Sequence, residues 1–229
     1  DFGAGMFAAL GTVLALYYRQ ITGKGQIVDA ALLDTAVSFM TAYAAPAEYK
    51  VTGYVREQFG NSGTYNFAGL FRTKDGWIFI NVIGNPLWRR FTRLIGREDM
   101  VDDLKFKDDM TRFRNRHLID AITNQWTMDR TTAEALHLLE EARLPCGRVN
   151  NVAEMLDDPQ IKARDLVVNM EYPNIGEIPV SSAVPKLSKT PGKVETRAPE
   201  IGEHNEEIYC GLLRLSSEEL SQLKEHGVI

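Results

Sequence analysis

Residues Asp1 to Asp34 read D-F-G-A-G-M-F-A-A-L-G-T-V-L-A-L-Y-Y-R-Q-I-T-G-K-G-Q-I-V-D-A-A-L-L-D. An acid and a small-residue turn lead into an apolar segment. Met6, Leu10, Val13, Leu14 and Tyr17 recur at helical spacing, which predicts a helix over 3–22. Arg19 falls in its last turn, where a cation suits the helix dipole, and Gly23 can take the left-handed stop. Gln26 to Leu32 then reads as a buried strand, with Asp34 opening a second helix over 35–49. Pro46 lies inside that helix and removes a backbone donor, so its later course is broken or bent.

Outward from this stretch the punctuation is denser. Phe59-Gly60-Asn61-Ser62-Gly63-Thr64 is a turn-rich loop, with glycines that allow left-handed backbone and side chains that bond their own backbone. Phe67–Arg72 and Trp77–Val82 flank Thr73-Lys74-Asp75-Gly76, a hairpin signal. Helices follow over 86–94, 113–126 and 131–143, the last with Thr131 and Glu134 spaced as a capping box. Residues 97–112 are charged and broken, and Asp102, Asp103, Lys105, Lys107, Asp108 and Asp109 read as a solvated face. A short helix over 152–156 precedes Asp158-Pro159, a helix start. Strands at 166–172 and 177–180 surround Asn174-Ile175-Gly176. A linker runs through 181–200, and two closing helices follow, the second capped by Ser216 and Glu219.

The order acid, small-residue helix, T-G-x-G-Q turn and strand resembles the class III CoA-transferases, the carnitine and bile-acid-inducible CoA-transferase family. Their pattern D-x-x-x-G, A-L-x-x-R, T-G-x-G-Q is carried by Asp1–Gly5, Ala15–Arg19 and Thr22–Gln26. Two later segments agree: Leu144-Pro145-Cys146-Gly147-Arg148-Val149 with Asp158-Pro159-Gln160, and Ala198-Pro199-Glu200-Ile201-Gly202-Glu203-His204. The resemblance implies an α/β fold: a large Rossmann-like domain, incomplete here, formed by 1–56 with a return over 158–229, and a small α+β domain over 57–157. It also implies an interlocked homodimer. It makes Asp1 the nucleophile, with Gly60, Asn61, Ser62, Gly63 and Leu32 against substrate. The partners implied are an acyl-CoA and a small carboxylate. CoA is substrate, and no cofactor is required. A CoA-binding portion is expected ahead of Asp1.

From the residues alone Asp1 is an exposed acid or a helix N-cap. Gly3-x-Gly5-x-x-Ala8 with Asp29 has the outline of a dinucleotide fingerprint, but that fingerprint needs a preceding strand, so close packing of the first helix is the better account of the glycines. The racemase branch of the resembled family has Y-E-x-x-D-G where this chain has Phe71-Arg72-Thr73-Lys74-Asp75-Gly76. A permanently protonated arginine cannot replace that glutamate as a base. Formyl-CoA:oxalate transferases carry more glycines after Gly63, where Thr64, Tyr65 and Asn66 stand here, which disfavours oxalate as acceptor. A non-catalytic assembly subunit is the remaining alternative.

Composition narrows the classes further. Net charge is −5 with acids and bases interspersed, which disfavours nucleic acid as a partner. The longest apolar run is too short for a bilayer, so no membrane partner is expected. Two cysteines, Cys146 and Cys210, make no disulfide framework and suit a reducing cytoplasm. Both read as small buried apolar residues, and the four histidines are scattered, giving no metal spacing.

Overall fold

A computed structural model describes residues 1–58 and 60–229; Phe59, the first residue of the turn-rich loop, lies outside them. The chain forms two compact units, Asp1–Ser62 and Gly63–Ile229.

The first unit holds α1 (Phe2–Thr22), α2 (Leu32–Ala42) and α3 (Ala45–Thr52). Helix α1 ends as its sequence dictates: Gly23 takes φ 73° and its N–H returns to the Arg19 carbonyl. Helices α1 and α2 approach closely because Gly3 has no side chain. A Cβ there would sit 2.8 Å from the Phe39 ring and 2.9 Å from the Thr35 methyl. Phe7 stacks on Phe39 at 6.0 Å between ring centroids. Gly11 is needed in the same way against Val28. The close-packing account of the fingerprint glycines therefore holds for Gly3 but not for Gly5, where a Cβ would meet nothing within 4 Å.

Two predicted elements differ. Gln26–Leu32 forms no strand: 24–31 is irregular and Leu32 already belongs to α2. An apolar run is a strand only if another strand pairs with it, and none does among the described residues; Ile27 is 94% exposed. The helix expected over 35–49 is two helices. Ala44 adopts φ 54°, and Pro46 occupies the opening turn of α3, where its missing donor costs nothing.

The second unit is built on β1 (Phe67–Arg72) and β2 (Trp77–Val82), an antiparallel ladder running from Phe67↔Val82 to Arg72↔Trp77. β3 (Cys146–Arg148) adds to β2. The register sends Phe67, Phe71, Ile78, Ile80 and Val82 to one face, where all are buried. Helix α4 (Gly84–Leu94) covers them with Trp88 and Phe91 and turns Arg89, Arg90 and Arg93 to solvent. Helices α6 (Arg116–Met128) and α7 (Thr132–Glu141) complete the core through Ile119, Trp126, Ala135 and Leu139, and α5 (Asp109–Arg114) before them buries Arg112. The helix expected to start at 113 starts at 116, because α5 claims the preceding turn. Beyond β3 lie α8 (Val152–Asp157), α9 (Pro159–Ala163) and a hairpin of β4 (Val167–Tyr172) with β5 (Gly176–Ser181). An irregular run leads to a π-helical segment at Glu206–Leu212 and then α10 (Ser217–Glu225). The predicted capping boxes at Thr131 and Ser216 form, and the helix predicted to start at Asp158-Pro159 does so, with Asp158 as its N-cap.

The acidic stretch before α5 is not a solvated face throughout. Asp109 accepts the Gly84 N–H through both carboxylate oxygens, at 2.9 and 3.0 Å, and so caps α4 from another helix. It also pairs with Arg112 at 2.9 Å. Arg112 is buried. It donates to the Phe106 carbonyl at 2.7 Å and the Asn85 side chain at 2.5 Å, and lies 4.8 Å above Trp88. Burial lowers its pKa, and Asp109 opposes that shift. The fork thus joins the turn at Leu104–Phe106, the start of α4 and α5. Arg112→Ala is expected to cost about 3 kcal/mol of stability, since it leaves Asp109 without its counter-charge and the Phe106 and Asn85 oxygens without their donor. Arg112→Lys should recover only part, having no planar fork. Urea denaturation checks both, and a loss within error for Arg112→Ala would contradict the assignment.

Candidate active site

Asp1 stands at the N-cap position of α1, but its side chain makes no capping bond; its backbone carbonyl accepts from Gly5 at 2.9 Å. The residue is exposed. Its carboxylate is therefore at the positive end of a 21-residue helix without being consumed by it. Ala4 is buried and Gly3 is pressed on α2, so this end of α1 is fixed, while the flank at Gly5 is open. Leu32 opens α2, 59% exposed, one turn before the Thr35 that packs on Gly3.

The loop 60–64 straddles the two units. Gly60 has φ 59° and belongs with Asn61 and Ser62 to the first, and Gly63 begins the second. Gly63 donates to the Ala68 carbonyl at 2.8 Å. A Cβ on it would lie 3.0 Å from the Ala68 Cβ and from both oxygens of Asn66. Asn66 fixes the entry to β1. Its Nδ2 donates to Asn81 Oδ1 at 2.7 Å and to the Phe67 carbonyl at 3.2 Å. Sequence reading missed this clamp, because Asn81 is brought opposite only by the strand register.

At the other end of the ladder the Asp75-Gly76 motif has a structural use. The hairpin turn is four residues, closed by Thr73 N–H to the Gly76 carbonyl at 2.9 Å. Asp75 Oδ1 accepts from the Thr132 N–H at 2.6 Å and its hydroxyl at 2.8 Å, binding the tip to the start of α7. Those bonds, the backbone one foremost, hold its carboxyl below the usual range. Gly76 is required there, since a Cβ would come 3.0 Å from the Thr132 hydroxyl. Arg72, the last residue of β1, is exposed. Burial, with Glu140 adding to it, pushes the Cys146 thiol up, which fits a packing residue and not a nucleophile. Among the described residues no three His, Cys, Asp or Glu side chains gather for a metal, and no helix is long and apolar enough to cross a membrane.

The family model of CoA-transferase family III matches residues 1–205. The chain belongs to that family. A succinyl-CoA–D-citramalate CoA-transferase of Chloroflexus aurantiacus is 33% identical over 232 residues, covering all of this chain and 57% of the relative. A formyl-CoA:oxalate CoA-transferase of Streptomyces coelicolor is 30% identical, again over the whole chain and 59% of the relative. Among solved structures, a CAIB/BAIF family protein from Brucella suis superposes with TM-score 0.70 over 92% of this chain and 54% of its own, at 24% identity. Rv3272 of Mycobacterium tuberculosis gives 0.69 over 89% and 53%, at 23% identity. These structures share the mixed α/β fold. The chain spans between half and three-fifths of the length of each of these proteins.

Gly63→Val is expected to cost about 1–3 kcal/mol of stability, because a branched side chain is crowded by Ala68 and Asn66. Urea denaturation checks it, and an unchanged unfolding free energy would contradict the close packing at Gly63.

Proposed function

We propose that this chain takes part in transferring CoA from an acyl-CoA to a carboxylic acid, with Asp1 as the covalent nucleophile. The observation that carries the reading is the position of Asp1: at a fixed helix N-terminus, exposed, and not used as a cap. The Asp1 carboxylate attacks the thioester carbonyl, forms a mixed anhydride and expels CoA thiolate. The thiolate attacks the aspartyl carbonyl of that anhydride, releasing the donor as a free carboxylate and leaving an aspartyl-CoA thioester. An acceptor carboxylate displaces CoA from it to make a second anhydride. The thiolate then attacks the acceptor carbonyl, giving the new acyl-CoA and restoring Asp1. Carboxylates and thiolate exchange places throughout, so the cycle calls for no cofactor and CoA remains a substrate. The helix N-terminus favours the negative charge that passes through each step. The open flank at Gly5 supports entry of a bulky thioester beside the backbone.

Gly60, Asn61, Ser62, Gly63 and Leu32 are placed against substrate in this reading, the loop governing acceptor entry. Thr64, Tyr65 and Asn66 make that loop bulkier than a glycine run. This supports a dicarboxylate larger than oxalate, as the names of the citramalate and malate relatives suggest. The working unit is an interlocked homodimer in the cytoplasm, its large domain joined by residues 158–229. The exposed apolar residues of α1, among them Phe2, Met6, Leu10, Val13 and Tyr17, support an assembly that covers them.

Asp1→Ala in the full chain is expected to reduce transfer by at least about a thousandfold. The unfolding midpoint should not move, because the side chain makes no cap bond. Succinyl-CoA with a panel of dicarboxylates is the assay. Near-normal transfer by Asp1→Ala would return Asp1 to a structural role.

A further inference from the structure

The transferase reading gives the loop a task but does not say what holds it in place. We infer that Asn66 is a positioning residue: clamped on Asn81, it fixes Gly63 and through it the loop that admits the acceptor. The inference rests on the transferase reading for its functional half and on geometry alone for its structural half.

Asn66 stands where the chain leaves the loop and enters β1. Its amide spans the end of the ladder, reaching the Phe67 carbonyl on its own side and Asn81 Oδ1 on the facing strand, with the Val82 carbonyl at 3.4 Å. Asn81 is rigid in turn, being paired with Ala68 in the ladder while its N–H donates to the Pro145 carbonyl at 3.0 Å. Gly63 is held from two sides. Its N–H is bonded to the Ala68 carbonyl, and the space beside its Cα is bounded by Asn66, both of whose oxygens would lie 3.0 Å from a Cβ placed there. A rotation of the Asn66 side chain withdraws Oδ1, one of the three atoms that bound this space, and leaves the Gly63–Ala68 bond with less support.

The chemistry separates the two ends of the clamp. Asn66 must donate and Asn81 must accept. Asn66→Asp removes the donor and sets a carboxylate against three acceptors. Asn81→Asp keeps the acceptor and strengthens it. The test measures amide exchange of Gly63 together with KM for donor and acceptor in both variants. For Asn66→Asp we expect Gly63 exchange about tenfold faster, acceptor KM raised severalfold, and donor KM and exchange at Ile78 and Ile80 unchanged. Asn81→Asp should match the parent protein in all of these. Equal exchange at Gly63 in Asn66→Asp overturns the clamp, and so does an increase spread evenly over β1 and β2, which marks general destabilisation. Faster Gly63 exchange with an unchanged acceptor KM overturns the positioning role. If the parent protein transfers no CoA, the transferase reading fails by itself, and the exchange pattern still decides whether Asn66 holds Gly63.

Discussion

The pairing of β1 with β2 is the constraint on which the second unit depends. Its register, Phe67↔Val82 to Arg72↔Trp77, decides which side chains enter the core. A slip of β2 by one residue would turn Ile78 and Ile80 outward and bring Asn81 in. The same register places a polar lock at each end. Asn66 meets Asn81 at one, and Asp75 meets Thr132 at the other. One lock faces the loop and the other faces α7, so a single hairpin ties the helical layer to the segment that joins the two units.

The elements that could be read from sequence are those whose signals are local. The hairpin strands, the left-handed stop at Gly23 and the caps at Thr131, Asp158 and Ser216 each depend on residues within a few positions. What was not legible depends on distant partners. Gln26–Leu32 has the composition of a strand, but composition does not supply a neighbour. Asp109 looks like one more surface acid until α5 packs beside Gly84. Asn66 and Asn81 are fifteen residues apart and carry no motif.

The candidate site divides in the same way. Asp1 is found only through an ordered set of short motifs, since an acid ahead of a helix is by itself an ordinary cap. The structure adds that this acid does not cap. Asp75 lies in the Asp75-Gly76 turn, and there its Oδ1 accepts from both the N–H and the hydroxyl of Thr132. Arg72 beside it cannot act as a base. Asp75 thus anchors the hairpin of the second unit, and Asp1, whose side chain makes no capping bond, lies in the first.

The most direct test is chemical trapping. The full chain is incubated with an acyl-CoA, treated with hydroxylamine, digested and sequenced by mass spectrometry. An anhydride or thioester on a side-chain carboxyl becomes a stable hydroxamate, whereas a capping carboxylate does not react. The account predicts a hydroxamate on Asp1 that depends on acyl-CoA. A hydroxamate on another carboxylate, or none while transfer proceeds, would contradict it.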